Sequence, residues 1–318
     1  MLDDRVGHAQ QVRGVVQALD GESRLIELAY RRSSPWPDLI GTASIDHVEA
    51  GFASRVGPVD ADVIVAAGRR TAPVARWLAA ATAKRPFLVQ LMRPGSTRGL
   101  DLVAIPLHDR PRPSPRVVAT VGAPHPFTRA VLDTAVADLP EPVRRLPRPW
   151  TTVLVGGPSG SAIFGAAEAR ELAARLAALE TRLGGSMLVT TSRRTPLAVA
   201  DTLEHALPTP HWMHRVDRPG PNPFRALLGA ADRVVVTADS ASMLSEACAT
   251  GRVVNVFRPP GLPRKFEMLV DHLRVAGHVR SWDDDELPPA PLDEAAQLAH
   301  LIRVAVGREG SQEPAPRG

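Results

Sequence analysis

The sequence predicts an α/β fold of two Rossmann-like domains, and three observations carry that reading. Short Val/Ile/Leu runs end in turns containing Gly, Ser or Pro, and an Ala/Leu-rich helical stretch follows most of them. The apolar runs do not alternate with polar residues, which suits strands covered on both faces of a parallel sheet. A chain of 318 residues exceeds a usual single domain and suits two.

In the first half, strands are expected at residues 25–29, 63–67, 87–91, 102–106 and 117–121. In the second half they are expected at 152–155, 187–191, 212–214, 233–237 and 253–257. Helical patterns cover 10–19, 72–83, 126–137, 166–183, 223–230, 242–250 and 292–306. Such alternation builds βαβ units. Four prolines within residues 139–150 make a stiff, non-helical connector. The boundary is therefore placed there, giving an N-terminal domain over 1–143 and a C-terminal domain over 151–306. The polar, Gly- and Pro-containing tail, 307–318, is expected to be disordered.

Composition narrows the function classes. Apolar residues make up 44% of the chain and aromatic residues 4%, so the cores must be built mainly from Ala, Val and Leu. The formal net charge is only +4, and Lys84 and Lys265 are the only lysines. The arginines are scattered and aromatics are few, which argues against a nucleic-acid surface. Cys248 is the single cysteine, which excludes an internal disulfide and a thiolate zinc site and fits a reducing compartment. The longest uncharged run, 149–167, is broken by Gly, Pro and Ser, and no apolar signal core opens the chain. The expectation is a cytoplasmic protein, with peripheral contact to the inner membrane left open.

Two segments could carry chemistry. Gly156-Gly157-Pro158-Ser159-Gly160-Ser161 joins an expected strand to a helix. Glycines let backbone approach a phosphate, and a helix N-terminus offers free N–H groups. The segment is neither a Walker loop nor a GxGxxG fingerprint, so alone it means only a phosphate-friendly turn. Thr237-Ala238-Asp239-Ser240-Ala241-Ser242 ends a strand in small polar residues, and Glu246 follows one turn after Ser242. Ser240 and Ser242 can cap the helix and donate to a phosphate, and a carboxylate at 246 can accept from two ribose hydroxyls. The plain alternative is a capped helix with a surface Glu.

The chain also echoes itself. Gly68-Arg69-Arg70-Thr71-Ala72-Pro73 and Ser192-Arg193-Arg194-Thr195-Pro196 each follow a strand and start a helix. In each, Thr is expected to cap the helix, and two arginines lie at the carboxyl end of a strand, where open α/β sheets bind ligands; the plain alternative is two capped turns whose arginines are solvated.

With Gly7-His8-Ala9-Gln10-Gln11 and Asp101-Leu102-Val103-Ala104-Ile105-Pro106-Leu107-His108-Asp109, these segments resemble the mitochondrial-fission ELM-type family of glycosyltransferase-like proteins. The resemblance implies two Rossmann-like domains facing across a cleft, the GT-B arrangement, with a nucleoside-diphosphate sugar held by the C-terminal domain. It implies that Gly157, Ser159 and Gly160 approach the diphosphate, that Arg193 neutralises it, that Ser240 and Ser242 donate to it, and that Glu246 holds the ribose. Gln11, Arg69 and Arg70 are assigned to the acceptor side. Only Met1 and Leu2 precede Asp3, so the strand expected before the Gly7 turn is very short.

His8 on that turn is the candidate base, since imidazole titrates near neutral pH. The pair His108 and Asp109 is its rival, with Asp109 the candidate to position whichever base acts. His211 and His214 lack a thiolate or clear third ligand, and the acidic run 283–286 reads as a solvated turn. No metal or other cofactor is expected. The leading reading is a metal-independent glycosyltransferase; the acceptor is left open, a lipid-linked one included. A sugar-nucleotide epimerase and a non-catalytic adaptor are the alternatives.

Overall fold

The computed structural model describes residues 1–31, 41–284 and 288–309. The chain divides into two compact units, 1–126 with 293–318, and 127–292. In the first, α1 (Val6–Leu19) and α2 (Phe52–Val56) precede β1 (Val63–Ala67), α3 (Thr71–Ala80), β2 (Phe87–Leu91), β3 (Leu102–Pro106) and β4 (Val117–Thr120). The second begins with α4 (Arg129–Ala135) and α5 (Glu141–Arg144). It continues through β5 (Trp150–Val155), α6 (Ala166–Leu183), β6 (Ser186–Thr191), α7 (Leu197–Ala206), β7 (His211–His214) and α8 (Phe224–Ala230). It ends with β8 (Arg233–Thr237), α9 (Ala241–Cys248), β9 (Val253–Phe257) and α10 (Arg264–Val275), after which α11 (Glu294–Glu309) returns to the first unit.

All strand pairs are parallel, in the orders β1-β2-β3-β4 and β7-β6-β5-β8-β9. The expected α/β class is therefore the observed one. The unbroken apolar runs have the cause inferred from sequence: both faces of each strand are covered. Ile64, Ala66, Leu88 and Val103 pack towards α2 and α3, while Val65, Ala67, Val89 and Ala104 pack against Val12 and Val15 of α1 and Leu298 and Ile302 of α11. In the second sheet, Val153, Val189 and Val235 meet α6 and α7, and Leu188 meets Leu227 of α8.

The partition differs from the expected one at both ends. Residues 127–143 belong with the second sheet, because Phe127 rests on Phe224 and α4 packs closely on α8. A Cβ on Gly229 would lie 2.2 Å from the Leu132 carbonyl oxygen, so only glycine allows that approach. Helix α11 belongs with the first sheet: Arg303 donates to the Ala18 carbonyl, and the Glu294 carboxylate accepts from the Val121 and Gly122 amides at 2.6 and 3.0 Å. These partners are remote in sequence, so proline content could not reveal them. Helix α11 also runs on to Glu309, past the expected start of the tail; residues 310–318, and Asp285 and Glu286 of the acidic run, lie outside the described residues.

The expected strand at 25–29 is reduced to isolated bridges at Glu27 and Tyr30. Leu2 fills a strand position instead. Its N–H donates to Ile26 O at 2.8 Å, its carbonyl accepts from Leu28 N at 3.0 Å, and the Met1 amino group donates to Val65 O of β1. Two residues thus lie between segment 26–28 and β1.

Candidate functional site

In an open parallel sheet, two loops part where the strand order reverses, and the gap between them is the usual ligand site. In the second unit the chain runs β5, β6, β7 to one side, then returns past β5 to β8 and β9. The loops after β5 and β8 flank that reversal, and they are the two segments singled out from sequence.

They are tied together by a buried polar network. Asp239, 2% exposed at its side chain, accepts from Thr237 Oγ1 at 2.6 Å, from the Gly157 amide at 3.1 Å and from Arg194 at 2.5 Å. Gly156 N–H donates to Thr237 Oγ1 at 2.8 Å. Arg194 also reaches the carbonyls of Gly157 and Pro158. A Cβ on Gly156 would lie 2.1 Å from Asp239 Oδ2, and one on Gly157 2.0 Å from the Arg194 carbonyl oxygen. The first two glycines therefore serve contact between protein loops, and the Gly157 amide is already spent on Asp239. The loop's far end is different. Gly160 has a positive φ of 61°, and its amide and that of Ser161 donate to no described residue. Ser161 Oγ anchors this tip to Gly261 O at 2.8 Å.

The two arginines of the echo separate. Arg194 is held by Asp239, whereas Arg193 is exposed and makes no ion pair to any described residue. Thr195, expected to cap the next helix, instead donates to the carbonyls of Val155 and Gly156 at 3.1 and 2.5 Å, and Pro196 takes the cap position of α7. Thr71 likewise donates to the carbonyls of Ala67 and Gly68. Both threonines pin a loop to a strand end.

Helix α9 starts beside this network. Ser240 is its N-cap and accepts from Met243 N–H at 3.4 Å; Ser242 is half-buried in its first turn. Glu246 is 8% exposed and takes no hydrogen bond from any described residue. Burial pushes its carboxyl up to about 7, with Arg225 opposing the rise. Buried polar groups are nearly always satisfied, so this carboxylate is an exception among the described residues.

The first unit has a reversal of its own. The chain runs from Leu2 to segment 26–28 on one side and then to β1 on the other. The loops that part here carry Asp3 to His8 and Gly68 to Arg70. His8 Nδ1 lies 2.5 Å from Asp3 Oδ2, and Arg70 donates to Asp3 Oδ1 at 3.0 Å and also to Asp4. The Arg70 guanidinium sits 3.9 Å over the Tyr30 ring. Burial alone would raise the Asp3 carboxyl, but hydrogen bonding to His8 and Asp4 and the charge of Arg70 outweigh it and hold it well below the usual carboxylate range. Asp3 was missed from sequence; its signal was a carboxylate at a strand end, five residues before a candidate base.

The other acceptor-side expectations fare differently. Arg70 is engaged with Asp3 and Asp4, Gln11 is buried in α1, and Arg69 is exposed. His108 and Asp109 follow β3, with β1 and β2 between them and Leu2. Asp3, and not Asp109, is the carboxylate on His8. Outside these sites, His211 and His214 bond to Pro208 O and Thr190 Oγ1 respectively, and Cys248 is buried with its thiol pushed up to about 12. No helix among the described residues is long and apolar enough to cross a membrane.

Similar solved structures include MurG of Acinetobacter baumannii, with 16% identity, TM-score 0.37, and coverage of 78% of this chain and 68% of that one. The UDP-GlcNAc 2-epimerase of Methanocaldococcus jannaschii, solved with UDP-GlcNAc and UDP, gives 12%, 0.40, 77% and 76%. Among sequences, the mitochondrial fission protein ELM1 of Arabidopsis thaliana is 29% identical over 78% of this chain; the chain spans 64% of that relative's length. An uncharacterized protein of Rickettsia prowazekii, RP120, is 24% identical over 96% of this chain and 97% of its own. The family model described as mitochondrial fission ELM1 matches residues 6–306, and the chain belongs to that family.

Proposed function

We propose that the protein is a glycosyltransferase that takes a nucleoside-diphosphate sugar in its second unit and an acceptor hydroxyl on its first. The observation that carries the reading is Glu246: a buried carboxylate with no hydrogen-bond donor among the described residues, one turn into a Ser-capped helix beside the strand reversal. A ribose diol supplies two hydroxyl donors to such a group. The neighbouring features suit the rest of the nucleotide. On this reading the Gly160 and Ser161 amides, Ser240, Ser242 and the N-terminus of α9 would donate to the diphosphate, and Arg193 would bring a cation that no described carboxylate holds. As the sugar–phosphate bond breaks, charge builds on the departing diphosphate, and fixed dipoles with one arginine stabilise it. Ser159 sits at the base of the same turn.

The test is ligand-induced stabilisation against uridine, guanosine and cytidine diphosphates. At a hundred times the dissociation constant, the matching nucleotide adds about 2.7 kcal/mol. Glu246→Ala and Arg193→Ala should each weaken binding while leaving the fold intact. Unchanged affinity in both variants sinks the site. Because ribose donates to an ionised carboxylate, affinity should rise as pH rises through about 7, where Glu246 loses its proton.

A further inference from the structure

The acceptor-side arrangement goes further than a lone histidine. We infer that Asp3, anchored by Arg70, is the positioning residue that fixes His8 with its proton on Nδ1 and Nε2 free to accept a proton from the acceptor hydroxyl. The inference rests on the glycosyltransferase reading for its chemical meaning, but its geometry stands alone.

Five contacts support it. His8 Nδ1 and Asp3 Oδ2 are 2.5 Å apart, and Asp3 is 2% exposed at its side chain, so water does not compete for that oxygen. Asp3 Oδ1 is occupied by Arg70 at 3.0 Å, which keeps the carboxylate charged inside the protein. Arg70 is itself set in place by the Tyr30 ring and Asp4. Gly68 lies against the same edge: a Cβ there would lie 2.6 Å from His8 Nδ1 and 3.2 Å from Asp3 Oδ2, so the pair is packed against backbone. A carboxylate can only accept, so the proton between the pair belongs to Nδ1. Nε2 bonds to no described residue, and the His8 side chain keeps 13% exposure. Arg70, expected to touch the acceptor, thereby becomes part of the base's support.

The acceptor O–H proton passes to Nε2. The electron pair of that O–H bond stays on the acceptor oxygen, which becomes the nucleophile, and His8 carries the proton as imidazolium beside ionised Asp3.

Nitrogen NMR of the full chain labelled with 15N-histidine, at pH 9, reads the tautomer directly. The wild type should favour the Nδ1–H form of His8 by about tenfold or more, the worth of a hydrogen bond to a charged group. Asp3→Asn should lower that preference by about fivefold or more, and Asp3→Glu should restore part of it. A wild-type His8 carrying its proton on Nε2 overturns the inference with no variant needed, as does an unchanged preference in folded Asp3→Asn. The effect of UDP on melting separates the two proposals. Asp3→Asn should keep the wild type's stabilisation by UDP. A wild type that binds no nucleoside diphosphate sinks the donor reading, while the tautomer result still decides the role of Asp3.

Discussion

Glu246 is held in a setting that costs stability. Its carboxyl rises from the ordinary 4.5 to about 7 on folding. Below pH 4.5 both folded and unfolded forms carry the proton, and nothing is lost. Between 4.5 and 7 the unfolded chain releases it first, so stability falls with rising pH and levels off above 7. The difference corresponds to at most about 3 kcal/mol. Glu246→Gln should abolish this fall, so it should be more stable than the wild type at pH 8 and nearly equal at pH 4. Chemical denaturation at both pH values measures it. A gain in stability joined to weaker UDP binding is the pattern of a residue kept for a ligand. Glu246 and His8 were candidates from residue type and spacing, and Arg193 from the family resemblance. The partner of Arg194 could not be read that way, because Asp239 lies 45 residues away; the partner of His8 lies only five residues away, and its anchor Arg70 is the remote part.

At the scale of elements, the two loops of the second unit behave as one clamp. Asp239 collects Thr237, Gly157 and Arg194, and Thr195 ties the loop after β6 to the end of β5. Gly157→Ala would push a methyl group against the Arg194 backbone, which side-chain rotation cannot relieve. We expect a loss of about 1–3 kcal/mol, seen as a lower melting temperature, together with reduced stabilisation by UDP. The helices and strands themselves were legible, since their signal is local: an apolar run, a turn, an amphipathic stretch. The glycines were legible as a special turn but not in their purpose. A close approach to phosphate and a close approach to a neighbouring loop call for the same residue.

For the molecule as a whole, the chain's return to its first unit is the feature that sequence order conceals. Glu294 closes that return by accepting two amides at the end of β4, and burial raises its carboxyl despite those bonds. Glu294→Ala leaves both amides without their carboxylate, at a cost of about 1–3 kcal/mol for each buried group left unpaired. Hydrogen exchange should show α11 and the adjoining face of α1 losing protection together, while strands β5, β6 and β8 keep theirs. Equal loss in both sheets would show that the two units do not unfold separately.

The sequence by itself determined the α/β class, nine of the strand positions, the family resemblance and the segments that border each strand reversal. Those properties reside in runs of a few residues, where side-chain period and turn chemistry act over one or two turns. Only the tertiary structure decided which arginine of the second pair meets Asp239, that Arg70 anchors the carboxylate on His8, and to which unit the last helix belongs. Each of these depends on strand order, and strand order brings together residues whose separation along the chain carries no record of the contact.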